Sequence, residues 1–68
     1  MKYIIDRFKT TDGKTFKLIK KTNEEFQIVR NKFIFHTCET IEMATMKFYK
    51  IKELFRIEGQ IYEKISLH

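Results

Sequence analysis

The fold is organised around a short turn, TTDGK at residues 10–14. Gly13 has no Cβ, so it can adopt the left-handed conformation that closes a three-residue hairpin loop with a bulge. That loop places Phe8 directly opposite Phe16 across the hairpin, whereas a two-residue loop would place Phe8 opposite Lys17. The match of apolar side chains favours the three-residue loop.

Two further hairpins extend this pairing into a four-strand antiparallel meander over residues 2–38. We expect the second hairpin to pair Ile19 with Phe26 and the third to pair Ile28 with Phe35. The chain has no proline and two glycines, and its β-branched and aromatic residues far outnumber alanine and leucine. This composition favours strands. The segment TNEE at residues 22–25 also fits a helix capping box, so a helix following it is the alternative for this segment.

Both faces of this meander are predicted to be apolar. One face would carry Ile4, Phe8, Phe16, Leu18, Val29 and Ile34, and the other would carry Tyr3, Ile5, Ile19, Phe26, Ile28, Phe33 and Phe35. A single helix can cover one face of a small sheet and not two. The second face therefore needs a curled sheet, a second copy of the chain or a different protein to cover it.

From Thr40 the apolar period changes to that of an amphipathic helix over residues 41–57. The stripe consists of Ile41, Ala44, Phe48, Ile51, Leu54 and Phe55. Thr40 can cap the helix and Gly59 can end it. Residues 60–65 then alternate as a final strand. The predicted fold class is α+β, with a four-strand antiparallel meander, one amphipathic helix and a C-terminal strand in a single small domain, residues 1–68. The alternative is an all-β small SH3-like barrel.

Composition places the chain among basic intracellular domains. It has 68 residues, a net charge of +5 and one cysteine, Cys38. A lone cysteine cannot form an internal disulfide, and the N-terminus lacks the apolar segment of a signal peptide. We therefore expect a cytoplasmic protein that has no membrane segment. Net positive charge favours acidic partners.

The residues that could carry chemistry do not form a complete catalytic or metal-binding set. His36, Cys38 and Glu39 are the one local cluster of metal-ligand types, and a structural metal site needs a further ligand. Ser66 is the sole serine, and the two glycines are too far apart to form a phosphate-binding loop. We therefore expect no enzyme activity, no metal, no cofactor and no small-molecule substrate.

The leading functional prediction is a small basic binding or regulatory module, of the kind that phages and mobile elements encode as inhibitors. It would bind a protein, or a second copy of itself as a homodimer, through apolar sheet surface or an edge strand. The predicted contact residues are Tyr3, Ile5, Arg7, Lys9, Lys17, Lys20, Phe26, Ile28, Phe33 and Phe35.

The alternative function is nucleic-acid binding through the basic N-terminal hairpin and one face of the helix. Cations interleaved with aromatic side chains can hold phosphates while stacking bases. The residues predicted for this site are Lys14, Lys17, Lys21, Lys47, Tyr49, Lys50, Lys52 and Arg56.

Overall fold

The computed structural model describes residues 2–61. Its elements are β1 (Tyr3–Lys9), β2 (Thr15–Thr22), β3 (Glu25–Arg30), β4 (Phe33–Cys38) and the helix α1 (Ile41–Ile57). The four strands form one antiparallel sheet in the order β1-β2-β3-β4, so that β1 and β4 are its edges. The α+β meander with one helix is confirmed, and the closed barrel is wrong. Ile61 forms an isolated bridge with Thr10, and residues 62–65 of the predicted final strand lie outside the described residues.

The first hairpin turns as the sequence predicts. Gly13 has φ +91°, and the backbone N–H of Thr10 donates to the carbonyl of Lys14 at 2.8 Å. Phe8 pairs with Phe16, and their rings stack with centroids 4.9 Å apart. A bulge in β1 at Ile5 then shifts the register, so that Ile4 pairs with Ile19 and Tyr3 with Lys20. Ile4 and Tyr3 therefore lie on the faces of the sheet opposite to the predicted ones.

The register of the second hairpin differs from the prediction by one residue. Ile19 pairs with Gln27 instead of Phe26, and Phe26 pairs with Lys20. Because side chains alternate along a strand, this slip turns Phe26 and Ile28 to the opposite face of the sheet from the predicted one. They join Phe16 and Leu18 there, so large apolar side chains are concentrated on one face.

The third hairpin contains a second difference. Ile28 pairs with His36, and the predicted partner Phe35 is an extra residue between this pair and the pairing of Val29 with Ile34. Such a bulge bends an edge strand and changes the direction of its side chains. Phe35 consequently lies against Phe16, with ring centroids 6.2 Å apart.

The helix covers the apolar face of the sheet. The hydroxyl of Thr40 accepts from the backbone N–H of Met43 at 3.3 Å, which caps the first turn, and Gly59 at φ +71° follows the last turn. The buried core consists of Phe8, Phe16, Leu18, Phe26, Ile28, Cys38, Ala44 and Phe48, with Ile51, Phe55 and Ile61 packed against it. Ile41 and Leu54, both predicted in the buried stripe, are exposed.

The helix crosses the sheet diagonally. It begins just after β4, and toward its C-terminus Phe55 contacts Phe8 of β1 and Phe16 of β2, with centroids 6.1 Å and 5.3 Å away. This course covers the middle of the apolar face. It leaves the beginning of β4, with Phe33 and Phe35, exposed.

Candidate binding surface

The face of the sheet that the helix does not cover presents two rows of side chains. Each row contains one side chain from each of the four strands. Alternation along the strands places them opposite the buried residues. We call this surface the open face, and it consists of Arg7, Lys17, Val29 and Ile34 in one row and Ile4, Ile19, Gln27 and Thr37 in the other. Each row crosses four strands, a width of about 14 Å.

The aliphatic residues of the open face differ in their exposure. Ile19 and Gln27 in the middle are buried, whereas Ile4 and Ile34 at the two sheet edges are exposed. The prediction that this face is wholly apolar was wrong. The one-residue slip of β3 turns Phe26 and Ile28 to the other face and places Gln27 and Val29 here. The open face is therefore a mixed surface, in which polar and aliphatic side chains alternate and an exposed isoleucine lies on each edge strand.

Arg7 and Lys17 are directly opposite each other on β1 and β2. Like charges in this position repel each other and destabilise the pairing of the strands. Neither side chain forms an ion pair with any residue in the range 2–61, where the ion pairs are Lys14 with Asp12, Lys21 with Glu25 and Arg56 with Glu53. An anion bound from outside would relieve this repulsion.

Glu25, an acidic residue on β3 beside Gln27 of the open face, is already paired. One carboxylate oxygen of Glu25 accepts from the amide of Gln27 at 3.4 Å and lies 3.7 Å from the ammonium of Lys21. Lys9 also lies on the Arg7 side of β1, because Phe8 between them is in the core. The open face therefore carries an uncompensated positive charge.

The structure brings some of the residues predicted for protein binding together and separates others. Arg7 and Lys17 belong to the open face, and Lys9 lies on the same side of β1. Phe26 and Ile28 are buried in the core and cannot contact a partner. The remaining residues lie elsewhere: Tyr3 and Lys20 form a cation–π contact of 5.7 Å, Ile5 is at the β1 bulge, and Phe33 and Phe35 are at the start of β4.

Sequence reasoning did not assign Ile4, Ile19, Val29 and Ile34 to the site. Each was recognised as apolar, and Ile4, Val29 and Ile34 were placed on the face with Phe8 and Phe16. The correct register of β3 places Val29 and Ile34 on the face of Ile19, and the bulge in β1 brings Ile4 to the same face.

The residues predicted for nucleic-acid binding are distributed over several surfaces. Lys47 and Lys50 lie on one flank of α1, whereas Lys52 lies about 140° around the helix from Lys47. Lys17 is on the open face, across the sheet from α1.

Three more of these cations are held by carboxylates: Lys14, Lys21 and Arg56. The hydrogen bond from Arg56 lowers the pKa of Glu53, which favours the ionised pair. Tyr49 is exposed on α1. The predicted set does not form one continuous surface.

Within residues 2–61 no group of three His, Cys, Asp or Glu side chains is arranged to hold a metal ion. Cys38 is buried in the core, while His36 is exposed. None of the helices in this part of the chain has the length and apolar character needed to cross a membrane.

No family model, curated protein or solved structure matches this chain significantly. The surfaces of the molecule are therefore the remaining indication of its function. Of these, the open face combines exposed aliphatic side chains with two adjacent cations, the composition of a contact for an acidic and partly apolar partner.

Proposed function

We propose that this protein is a non-enzymatic binding module that docks its open face onto an acidic surface of another protein and regulates or inhibits that partner. The observation that carries the proposal is the direct pairing of Arg7 with Lys17 without an anionic partner among the described residues. Carboxylates of a partner would replace the repulsion between these cations by attraction.

The aliphatic residues would supply the apolar part of the contact. Ile4 lies exposed on β1, the strand of Arg7, and Ile34 lies exposed on β4, in the row of Arg7 and Lys17. A partner that covered them would remove apolar surface from water. Charge accelerates the encounter with an acidic surface, and apolar burial slows dissociation. Both elements are present within a surface only four strands wide.

A different protein suits the open face better than a second copy of the chain. A two-fold contact places the same surface on both sides of the interface, so each copy would present Arg7 and Lys17 to the other. That arrangement would concentrate positive charge in a chain that already carries +5. An acidic partner removes this conflict.

Affinity purification from the native host, with and without nuclease, tests the proposal. Ile34→Ser alters the open face, and Met46→Ser is its matched control on α1, because both side chains are 60% exposed. We expect an acidic partner that survives nuclease, reduced recovery with Ile34→Ser and unchanged recovery with Met46→Ser. Light scattering should show a monomer. Loss of the partner with nuclease, equal recovery with both variants, or a stable homodimer would contradict the proposal.

A further inference from the structure

We propose that the chain has a second binding site, for single-stranded nucleic acid, at the exposed start of β4. We call it the aromatic corner, and it consists of Arg30, Lys32, Phe33 and Phe35. The site goes beyond the proposed function, since it lies on the helix side of the sheet and shares no residue with the open face.

The diagonal course of α1 is the reason that the aromatic corner is exposed. The ring contacts of the helix are with Phe8 and Phe16, toward β1 and β2. Phe33 is 71% exposed and Phe35 46% exposed. Two phenylalanines exposed side by side at a sheet edge are unusual in a small domain, where such rings normally enter the core.

The two rings are presented in different ways. Phe35 is supported by Phe16 in an edge-to-face contact with an interplanar angle of 89°, and the guanidinium of Arg30 lies 6.0 Å from its centroid. Phe33 makes no ring contact with another aromatic residue of the described range. The aromatic corner therefore presents Phe35, which packs against Phe16 and lies beside the Arg30 cation, and Phe33, which has no stacking partner among the described residues.

The turn that precedes Phe33 is anchored to the neighbouring hairpin. Asn31 has φ +54°, its N–H donates to the carbonyl of Thr15 at 2.7 Å, and its Oδ1 accepts from the N–H of Thr15 at 3.0 Å. Lys32 therefore follows a residue that two hydrogen bonds join to Thr15. It and Arg30 form no ion pair with any residue of the described range.

The charges of the sheet are also divided between its two ends. At the end with the aromatic corner, the carboxylate of Asp12 is occupied by the Thr10 hydroxyl and by the ammonium of Lys14. At the opposite end, Glu24 and Glu39 line one open depression. A polyanion would be attracted to the corner, where Arg30 and Lys32 have no carboxylate partner among the described residues.

Unpaired bases fit the aromatic corner better than an acidic peptide does. Every base has a flat face that can stack on an exposed ring, and the adjoining phosphates match nearby cations. Carboxylate side chains would use Arg30 and Lys32 but would leave the rings exposed. The open face lacks aromatic side chains, so it offers no comparable stacking surface.

Fluorescence anisotropy with a labelled oligothymidylate of about twelve nucleotides tests the proposal. The informative variant is Phe33→Ala, and its matched control is Ile57→Ala, because both side chains are 71% exposed. We expect micromolar binding by the wild type at about 50 mM salt, about tenfold weaker binding by Phe33→Ala and unchanged binding by Ile57→Ala. Far-UV circular dichroism verifies that both variants remain folded.

The salt dependence tests the cationic part of the site. Arg30→Gln and Lys32→Gln should each reduce the slope of log affinity against log salt by about 0.7, the value for one single-strand phosphate contact. Equal affinity for duplex DNA, equal affinity for polyglutamate, or no effect of Phe33→Ala would each overturn the proposal. None of these results depends on the open face, so they leave the proposed protein partner untouched.

Discussion

Lys17→Glu should stabilise the fold while it destroys the proposed protein-binding surface. Lys17 is directly opposite Arg7, so the substitution replaces a repulsive cross-strand pair with an attractive one. Each of these two changes is worth about 0.2–1 kcal/mol, which gives a total gain of about 0.4–2 kcal/mol. For a domain of this size the gain raises Tm by about 2–16 °C.

Urea unfolding followed by circular dichroism at low salt measures this gain. Lys50→Glu is the control, because it changes the net charge equally and lies three residues from both Lys47 and Glu53, so that the new attraction and the new repulsion offset each other. The gain from Lys17→Glu should shrink at high salt, because exposed charges are screened. A loss of stability, or a change equal to that of the control, would refute the pairing of Arg7 with Lys17.

Three further predictions concern the fold. Ile28 is fully buried, so Ile28→Ala should cost about 2–5 kcal/mol of unfolding free energy. Val29→Ala should cost about 1 kcal/mol or less. Equal costs would favour the register in which Ile19 pairs with Phe26. The Thr10 hydroxyl lowers the pKa of Asp12 from its ordinary value of 3.8. The ionised carboxylate therefore stabilises the fold above pH 3.8, and this contribution is lost as the pH falls through the lowered pKa. Asp12→Asn should reduce the loss of stability that acid unfolding measures in this range. Far-UV circular dichroism should show about a quarter helix, since α1 has 17 of the 68 residues.

The elements that depend on local chemistry could be predicted from the sequence. Gly13 in its turn, Thr40 before the helix and the apolar period of residues 41–57 are each decided by neighbours a few residues away. The structure confirms the first turn, the pairing of Phe8 with Phe16 and the bounds of the helix.

The register of β3 could not be predicted in the same way. Pairing Ile19 with Phe26 or with Gln27 differs by one residue. The first choice would also place Lys20 opposite Glu25, which is an attractive pair. The competing requirement is global, because Phe26 and Ile28 must share a face with Leu18 to form one core under the helix. A local comparison of cross-strand pairs does not contain that requirement.

The candidate sites likewise contain some residues that local sequence identifies and others that depend on tertiary packing. Arg7 and Lys17 were recognised as contact residues from charge alone, whereas Ile4 and Ile34 required the correct faces of the sheet. The exposure of Phe33 depends on the diagonal course of α1, which is a property of tertiary packing that sequence periodicity does not determine.

We propose that the open face binds an acidic protein. The most direct test is isothermal titration of the purified partner with the wild type, Lys17→Glu and Lys50→Glu at low salt. We predict that Lys17→Glu binds about tenfold more weakly or worse, although it is the more stable protein, and that Lys50→Glu binds within about twofold of the wild type. Equal affinities for the wild type and Lys17→Glu would contradict the claim.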